Sequence, residues 1–207
     1  MTAIERADVD KAPVRHTSLR IEDAAIDLFY ERGFKSTTMR EIALACGLTP
    51  GALYNHYTSK DQLLYTIIHR VHVQLQDEIL EALDAAPDAP GERLKAYVYV
   101  HSLYHTRFRT EARVANQEIS LLTEPGRAEI VKLRRDMRKL LKDLLIEGDR
   151  IDEFDVPEPT VTTSAILNMG IAIADWFRPD GRMTSEEVAA IHARLALRLA
   201  GAHEDAR

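Results

Sequence analysis

The feature that most constrains this chain is a tight glycine turn between two helical patterns. Thr38 can cap the first helix, and Glu41 three residues later completes a capping box. Gly47 ends that helix, because the residue after a helix often needs a positive φ. Thr49 then caps a second, short helix over residues 50–56, with Pro50 in its first turn. This arrangement predicts a helix-turn-helix, whose second helix suits the major groove of DNA.

The same segment resembles the DNA-binding region of the TetR family of transcriptional regulators over about residues 17–64. The likeness rests on ERGF at residues 31–34, T-T-x-R-x-I-A at 37–43, G-L-x-x-G-x-L-Y-x-H-Y at 47–57 and S-K-x-x-L at 59–63. The resemblance implies contacts with DNA phosphates from Thr38, Tyr54, His56 and Lys60. It implies contacts with base edges or adjacent backbone from Arg40, Thr49, Pro50, Gly51 and Asn55.

The net charge of −6 makes the distribution of charge important for a nucleic-acid function. Residues 1–60 hold eight Lys/Arg and eight Asp/Glu, whereas residues 61–207 hold 19 and 25 and carry the whole −6. A neutral head with local cations on an acidic body is compatible with DNA binding by one end. It also predicts weak non-specific affinity, because counterion release needs many phosphate contacts.

Several other classes of protein are disfavoured. No run of eighteen apolar residues occurs, and residues 1–18 lack the apolar centre of a signal peptide. The single cysteine, Cys46, excludes an internal disulfide and fits a reducing compartment. Phosphate loops, dinucleotide fingerprints, nucleophile elbows and zinc-protease motifs are absent. We therefore expect a cytoplasmic protein without enzymatic activity, cofactor, metal or membrane partner.

Helical periodicity continues to the end of the chain, and strand-like alternation does not occur. We expect an all-α fold of about nine helices, with a three-helix head and a larger helical body. Their predicted positions are 18–32, 38–46, 50–56, 59–85, 92–108, 113–122, 127–147, 160–177 and 185–200. The helix over 59–85 would be on the order of 40 Å long and would join head to body. The predicted domains are a disordered arm 1–16, the DNA-binding domain 17–62 and a ligand-binding and dimerisation domain 63–207.

The body combines apolar bulk with a few polar groups, which is typical of a small-molecule pocket. The candidate lining residues are Tyr97, His101, Tyr104, Phe108, Asn168, Met169, Ile173 and Trp176. A plain core has the same composition, so both interpretations stay open for each residue. His101 and His105 are also spaced to bind a metal together with Glu118 or another acid. Their aromatic neighbours favour a pocket wall or a helix surface instead.

The last two helices carry more apolar surface than one body needs. Residues 160–177 are apolar on nearly all sides, and a stripe of Val188, Ile191, Leu195 and Leu199 follows. This surplus predicts a homodimer built through a four-helix bundle, which would bind a pseudo-palindromic operator. The basic residues of the 127–147 helix are interpreted as a solvated outer face. They are Lys132, Arg134, Arg135, Arg138, Lys139 and Lys142.

A second, shorter resemblance concerns the effector. DWFRPDG at residues 175–181 resembles the W-[YF]-R-P-x-G stretch of a TetR-family branch that represses lipid and sterol breakdown. That branch releases DNA on binding acyl-CoA thioesters. The resemblance implies a repressor with a small hydrophobic effector of this class, with Arg178 near the phosphates and Trp176 near the acyl or thioester group. A capping role for Arg178 at a helix C-terminus is the open alternative.

Two other functions remain open from the sequence. The first is a helical acyl-chain-binding protein or enzyme with no DNA role, which would show transfer or turnover and no operator binding. The second is an architectural DNA-binding protein, which would bind DNA without responding to any metabolite.

Overall fold

A computed structural model describes residues 11–202 of the chain, with side chains from residue 16 onward. Within that range the regular structure is helical throughout, which confirms the predicted all-α class. The head contains α1 (Lys11–Arg32), α2 (Met39–Ala45) and α3 (Pro50–Tyr54). The body contains α4 (Lys60–Ala85), α5 (Pro90–Arg107), α6 (Arg109–Gln117), α7 (Gly126–Arg150), α8 (Pro159–Ile171), α9 (Ile173–Trp176) and α10 (Ser185–Leu199).

Some predicted boundaries need correction. Helix α1 begins at Lys11 rather than Ser18, with Pro13 in its first turn, where a missing N–H removes no helical hydrogen bond. Residues 11–16 of the predicted arm are therefore helical, while residues 1–10 lie outside the described part. The single helix predicted over 160–177 is divided into α8 and α9 at Ala172, shortly after Gly170, a residue type that weakens helices.

The sixth predicted helix also differs. Helix α6 begins at Arg109, four residues before the predicted start, and ends at Gln117. A 3₁₀ turn over Glu118–Leu121 continues the chain. Such tighter turns are frequent at helix ends. The α6 segment and this turn together form a wall between the head and the body.

One hydrophobic core runs from the head into the body. In the head, Ile21 of α1, Ile42 of α2 and Leu53 of α3 are fully buried and belong to the same cluster as Leu64 and Ile68 of α4. Helix α4 has 26 residues, so it is about 39 Å long at 1.5 Å per residue. Its apolar stripe therefore lies in both parts of the molecule, as predicted from its length.

Helix α5 is the central element of the body. It contacts α4, α6, α7, α8 and α10, and its most extensive contact is with α10. The inner face of α10 carries small side chains, Ala189, Ala193 and Ala196, all of them buried. Small residues allow two helix backbones to approach closely. Among the described residues, no helix is long and apolar enough to cross a membrane.

Candidate DNA-binding head and effector cavity

The turn between α2 and α3 has the geometry that the sequence predicts. The backbone N–H of Glu41 donates to Thr38 Oγ1 at 3.3 Å, and the N–H of Thr38 donates back to Glu41 Oε2 at 2.8 Å. Gly47 has φ of +68°, a conformation that suits glycine. The N–H of Ala52 donates to Thr49 Oγ1 at 3.2 Å, which caps α3. These short-range bonds fix the angle between the two helices.

Most of the predicted DNA contacts are exposed on the surface of the head. Leu53 and Tyr57 anchor α3 from below, with 0% and 6% of their surfaces exposed. The residues on the opposite side are exposed: Thr38, Arg40, Thr49, Pro50, Gly51, Tyr54 and Asn55. Tyr54 keeps 51% of its surface exposed although it is a large aromatic residue. The exposed face is therefore available to a groove and its flanking phosphates.

Two of the predicted phosphate contacts also have partners inside the head. The ammonium of Lys60 donates to the carbonyl oxygens of Phe34 and Thr37, at 2.7 and 2.6 Å. An ammonium has three N–H donors, so one remains for a phosphate. His56 Nδ1 lies 3.3 Å from Ser18 Oγ. These contacts tie the start of α4 and the end of α3 to α1.

A buried carboxylate links the head to the long helix. Glu22 of α1 has 4% of its surface exposed. The Tyr57 hydroxyl donates to its Oε1 at 2.7 Å, and Arg70 Nε of α4 donates to its Oε2 at 2.6 Å. Burial and the hydrogen bond to Glu22 raise the pKa of Tyr57, so the phenol keeps its proton. A displacement of α4 at Arg70 would therefore act directly on the head.

The body contains a partly open cavity of about 690 Å³ between α4, α5, α7 and α8. The end of α6 and the following 3₁₀ turn close one side. Its lining residues are His72, Leu75, Tyr97, His101, His105, Asn116, Gln117, Ile119, Ser120, Arg127, Val131, Arg134, Arg135, Met137, Arg138, Leu167 and Ile171. This volume is within the range typical of small-molecule sites.

Only two of the predicted ligand contacts, Tyr97 and His101, line this cavity. Tyr104 is buried against Phe108 instead, with ring centres 4.7 Å apart. Asn168 is exposed. Leu167 and Ile171 lie on the face of α8 that lines the cavity, and Asn168 lies on another face of the same helix. Met169 lies partly exposed outside the lining, and Ile173 is buried in a small separate cluster with Phe177 and Val188.

The residues of the second resemblance lie outside the cavity lining as well. Trp176 is 45% exposed, and its ring lies beside Phe177 and His192, with centres 6.3 and 6.2 Å away. Arg178 Nη1 donates to the carbonyls of Phe177 and Asp175, at 3.2 and 3.4 Å. The guanidinium thus makes the contacts of the capping alternative, because unpaired carbonyls at a helix end attract a cation.

The main group that the sequence analysis missed is a set of arginines on α7. Arg127, Arg134, Arg135 and Arg138 line the cavity, so the prediction of a wholly solvated basic face is wrong for this side of the helix. In the described residues, the ion pairs of α7 join Lys132 and Arg135 to Asp136, Lys139 to Asp143, Arg150 to Glu147, and Glu129 to His69 of α4. None of them joins Arg127, Arg134 or Arg138 to a carboxylate. The sequence shows the basic stripe of α7. It does not show which side of that stripe α5 and α8 cover in the folded protein.

Arg134 is the most enclosed of these cations. Its Nη1 donates to Asn116 Oδ1 at 2.8 Å, and burial together with the neighbouring Arg138 lowers its pKa. A partly buried cation without a counterion is unfavourable, and an anion that enters the cavity would relieve that cost. The arrangement therefore favours ligands with one or more negative charges.

Three histidines form the other polar side of the cavity. His72 Nδ1 lies 2.8 Å from the carbonyl of Ile68, and His105 Nδ1 lies 2.8 Å from the carbonyl of His101. Burial lowers the pKa of His72 and of His105 to about 4, with smaller contributions from Arg134. Burial also lowers the pKa of His101. Near neutral pH all three rings are therefore uncharged.

The hypothesis of a metal held by His101 and His105 gains no support from this arrangement. The two rings lie 4.5 Å apart between centres, and His105 Nδ1 is already committed to the backbone. Within residues 16–202, no group of three or more His, Cys, Asp or Glu side chains is arranged to bind a metal ion.

The cavity wall also contacts the head. Arg113 and Arg109 of α6 lie over the ring of Tyr30 of α1, with guanidinium carbons 5.1 and 5.8 Å from the ring centre. Near the start of α7, Glu129 accepts a hydrogen bond from Tyr65 of α4 and pairs with His69. The helices α6 and α7, which contribute residues to the cavity lining, thus also contact α1 and α4.

Comparison with protein families matches both parts of the chain. Residues 21–66 match the family described as "Bacterial regulatory proteins, tetR family". Residues 87–200 match the family described as "Tetracyclin repressor-like, C-terminal domain". The second match alone covers more than half of the chain.

Individual relatives are similar along most of their length. A solved tetR-family regulatory protein from Rhodococcus RHA1 is 32% identical, with a TM-score of 0.82 over 91% of this chain and 98% of that one. AibR, solved with isovaleryl coenzyme A and operator DNA, is 29% identical, with a TM-score of 0.79 over 90% of this chain and 100% of that one. The HTH-type transcriptional repressor KstR2 of Mycolicibacterium smegmatis is 26% identical over 84% of this chain and 85% of its own length.

Proposed function

The chain belongs to the TetR family of bacterial regulators, and we propose that it is a repressor released from its operator by a coenzyme A thioester. As a member of that family it is a DNA-binding transcription factor rather than an enzyme. The observation that carries the effector class is the cavity in which Arg127, Arg134 and Arg138 lie beside an apolar wall, with no carboxylate partner among the described residues. Since its family binds chromosomal operators, we expect it to act in the cytoplasm.

The charge of the cavity supports a phosphate-bearing ligand. Arginine binds phosphate well, because its planar group offers several donors in a fixed geometry. Arg127 is exposed and lies at the start of α7, whereas Arg134 is more enclosed. A nucleotide part of the ligand would contact these cations, while an acyl chain would pack against Leu75, Met137 and Leu167.

The relatives favour the same class of ligand. AibR has been solved with isovaleryl coenzyme A and operator DNA, and it covers 90% of this chain. The cationic contact expected from Arg178 is reassigned in this proposal to α7, because Arg178 bonds its own helix end. The contact expected between Trp176 and the acyl group is also not part of the proposal, because Trp176 lies outside the cavity lining.

The ligand would act on the head through the cavity wall. His72 of α4 lines the cavity, and Arg70, two residues earlier on the same helix, holds the buried carboxylate of Glu22 in the head. A ligand that binds best to one position of α4 shifts the population toward that position. The two recognition helices of a dimer would then no longer match successive major grooves. Coupling of about 1–3 kcal/mol is sufficient for such a response.

The solvent-exposed face of α8 supports the proposal that the protein is a homodimer. Val161 is 66% exposed, and Ala165, Asn168 and Ala172 follow it at helical spacing on the same exposed side. Leu199 of α10 is 42% exposed. In a two-fold dimer these faces would pack against their copies and form the four-helix bundle. Sedimentation equilibrium tests this assembly: we expect a dimer at micromolar concentration, and a monomer throughout would refute it.

Calorimetric titration tests the effector class. The ligands are an acyl-CoA series of increasing chain length, free coenzyme A and the matching free fatty acids. We expect a thioester to bind more tightly than either of its parts, because it uses both the cations and the apolar wall. If the free acids bind as tightly as the thioesters, the coenzyme A part of the proposal is wrong. Transfer or hydrolysis of the acyl group would instead favour the carrier or enzyme alternative.

A further inference from the structure

The direction of the hydrogen bonds inside the cavity restricts the ligand further. A neutral imidazole carries one N–H, and a backbone carbonyl can only accept. Since His72 Nδ1 lies 2.8 Å from the Ile68 carbonyl, Nδ1 carries the hydrogen. The other ring nitrogen, Nε2, is therefore an acceptor. Among the described residues it has no hydrogen-bond partner, although the side chain is 5% exposed.

No neighbouring group among the described residues donates to this nitrogen. Arg134 donates to Asn116 Oδ1, and Asn116 Nδ2 lies 3.4 Å from His105 Nε2, where it is placed to donate. His105 in turn donates from Nδ1 to a backbone carbonyl. These bonds form one chain with a fixed direction, which leaves His72 outside it.

A second group of the same wall also offers only lone pairs. The hydroxyl of Tyr97 donates its hydrogen to the carbonyl of Met137 at 3.1 Å. Its oxygen can then accept but not donate. His72 of α4 and Tyr97 of α5 thus offer acceptors to the cavity, whereas the arginines of α7 are cationic donors. A complementary ligand has an anionic part and, apart from it, a hydrogen-bond donor.

We propose that His72 Nε2 accepts a hydrogen bond from a hydroxyl or an amide N–H of the effector, and that it selects effectors which carry such a donor. This inference rests on the proposed effector class for its main test. Within that class the donor has two sources: a hydroxyl on the acyl group, or an amide N–H of the pantetheine arm. A ligand that covers Nε2 without donating to it would remove its access to water and leave the acceptor unsatisfied, which is unfavourable.

The test compares His72→Phe and His72→Gln with the unchanged protein. Phenylalanine keeps a ring but removes both nitrogens, whereas glutamine keeps an acceptor near the position of Nε2. The probes are octanoyl-CoA, its hydroxylated isomers and free coenzyme A, with octanoic acid and hydroxyoctanoic acids as a second series. Binding is measured by calorimetry, and thermal unfolding reports whether each variant is folded.

A hydroxyl on the acyl group is the source if His72→Phe weakens only the hydroxylated thioesters, by roughly 5- to 150-fold. The pantetheine amide is the source if all thioesters and free coenzyme A lose affinity alike. In both cases His72→Gln should restore a large part of the loss. If folded His72→Phe binds every probe as the unchanged protein does, or if His72→Gln is no better than His72→Phe, the inference is overturned.

The second series separates this inference from the proposed function. If no thioester binds but hydroxyoctanoic acids bind in a manner dependent on His72, the effector class is wrong and the acceptor role stands. If thioesters bind and neither series responds to the substitutions, the effector class stands and the acceptor role is wrong.

Discussion

The substitution Arg134→Met tests whether the arginines of α7 bind an anion. We expect it to weaken ligand binding strongly and to change the stability of the protein little. Among the described residues the guanidinium makes one hydrogen bond, 2.8 Å to Asn116, and no carboxylate pairs with it. A charge-assisted hydrogen bond to a ligand phosphate contributes about 1.5–3 kcal/mol. We therefore expect the dissociation constant of the best thioester to rise by about 10- to 150-fold.

The stability of the same variant should change little. Loss of the bond to Asn116 is offset by removal of a partly buried charge without a counterion, so we expect the free energy of unfolding to shift by less than about 1 kcal/mol. Lys132→Met is the matched control, because Lys132 is on the same helix, 66% of its side chain is exposed, and it pairs with Asp136 at 2.8 Å. Calorimetry and urea unfolding measure the two effects. Equal weakening of thioester binding in both variants would refute a specific anion site.

Three other perturbations test the buried histidines, the packing of α8 and the DNA-binding residues. The pKa values of His72 and His105 are lowered to about 4, so the unfolded state binds protons at a higher pH than the folded state. The free energy of unfolding should therefore be at its full value above pH 6.5 and should fall below it, by about 2 kcal/mol for each ring at pH 5. Urea unfolding at several pH values measures this loss. Gly170→Ala places a methyl group against the imidazole of His101 on α5 and should lower the free energy of unfolding by about 1–3 kcal/mol. Tyr54→Ala should weaken binding to all DNA sequences, whereas Asn55→Ala should change sequence preference; equal losses on every operator variant would contradict this division.

The head was largely predictable because its determinants are local. Thr38, Glu41 and Gly47 lie within ten residues of one another, and their capping bonds and positive φ fix the turn without help from distant parts of the chain. The length of α4 was also readable, since residues 60–85 contain no residue that interrupts a helix. The family matches agree with this part of the interpretation.

The cavity was not predictable in the same way. Each residue turns a helix by about 100°, so the register of packing decides whether a side chain faces the cavity or the solvent. Leu167 lines the cavity while Asn168 is exposed, although they are neighbours in the sequence. Arg134 belongs to a basic stripe that looked solvated, because only the packing of other helices beside α7 encloses it. The start of α1 was missed because the mixed-charge N-terminal sequence without an apolar centre was interpreted as a disordered arm, whereas Pro13 is compatible with the first turn of a helix.

The most direct measurement is a titration of the preformed protein–operator complex with the acyl-CoA panel. DNA from upstream of the protein's own gene, labelled with a fluorophore, reports binding by anisotropy. We expect the protein to bind this DNA and one thioester to release it at micromolar concentration, while free coenzyme A is less effective. Binding that no thioester changes would contradict the central claim, and release by an uncharged lipid would point to a different effector.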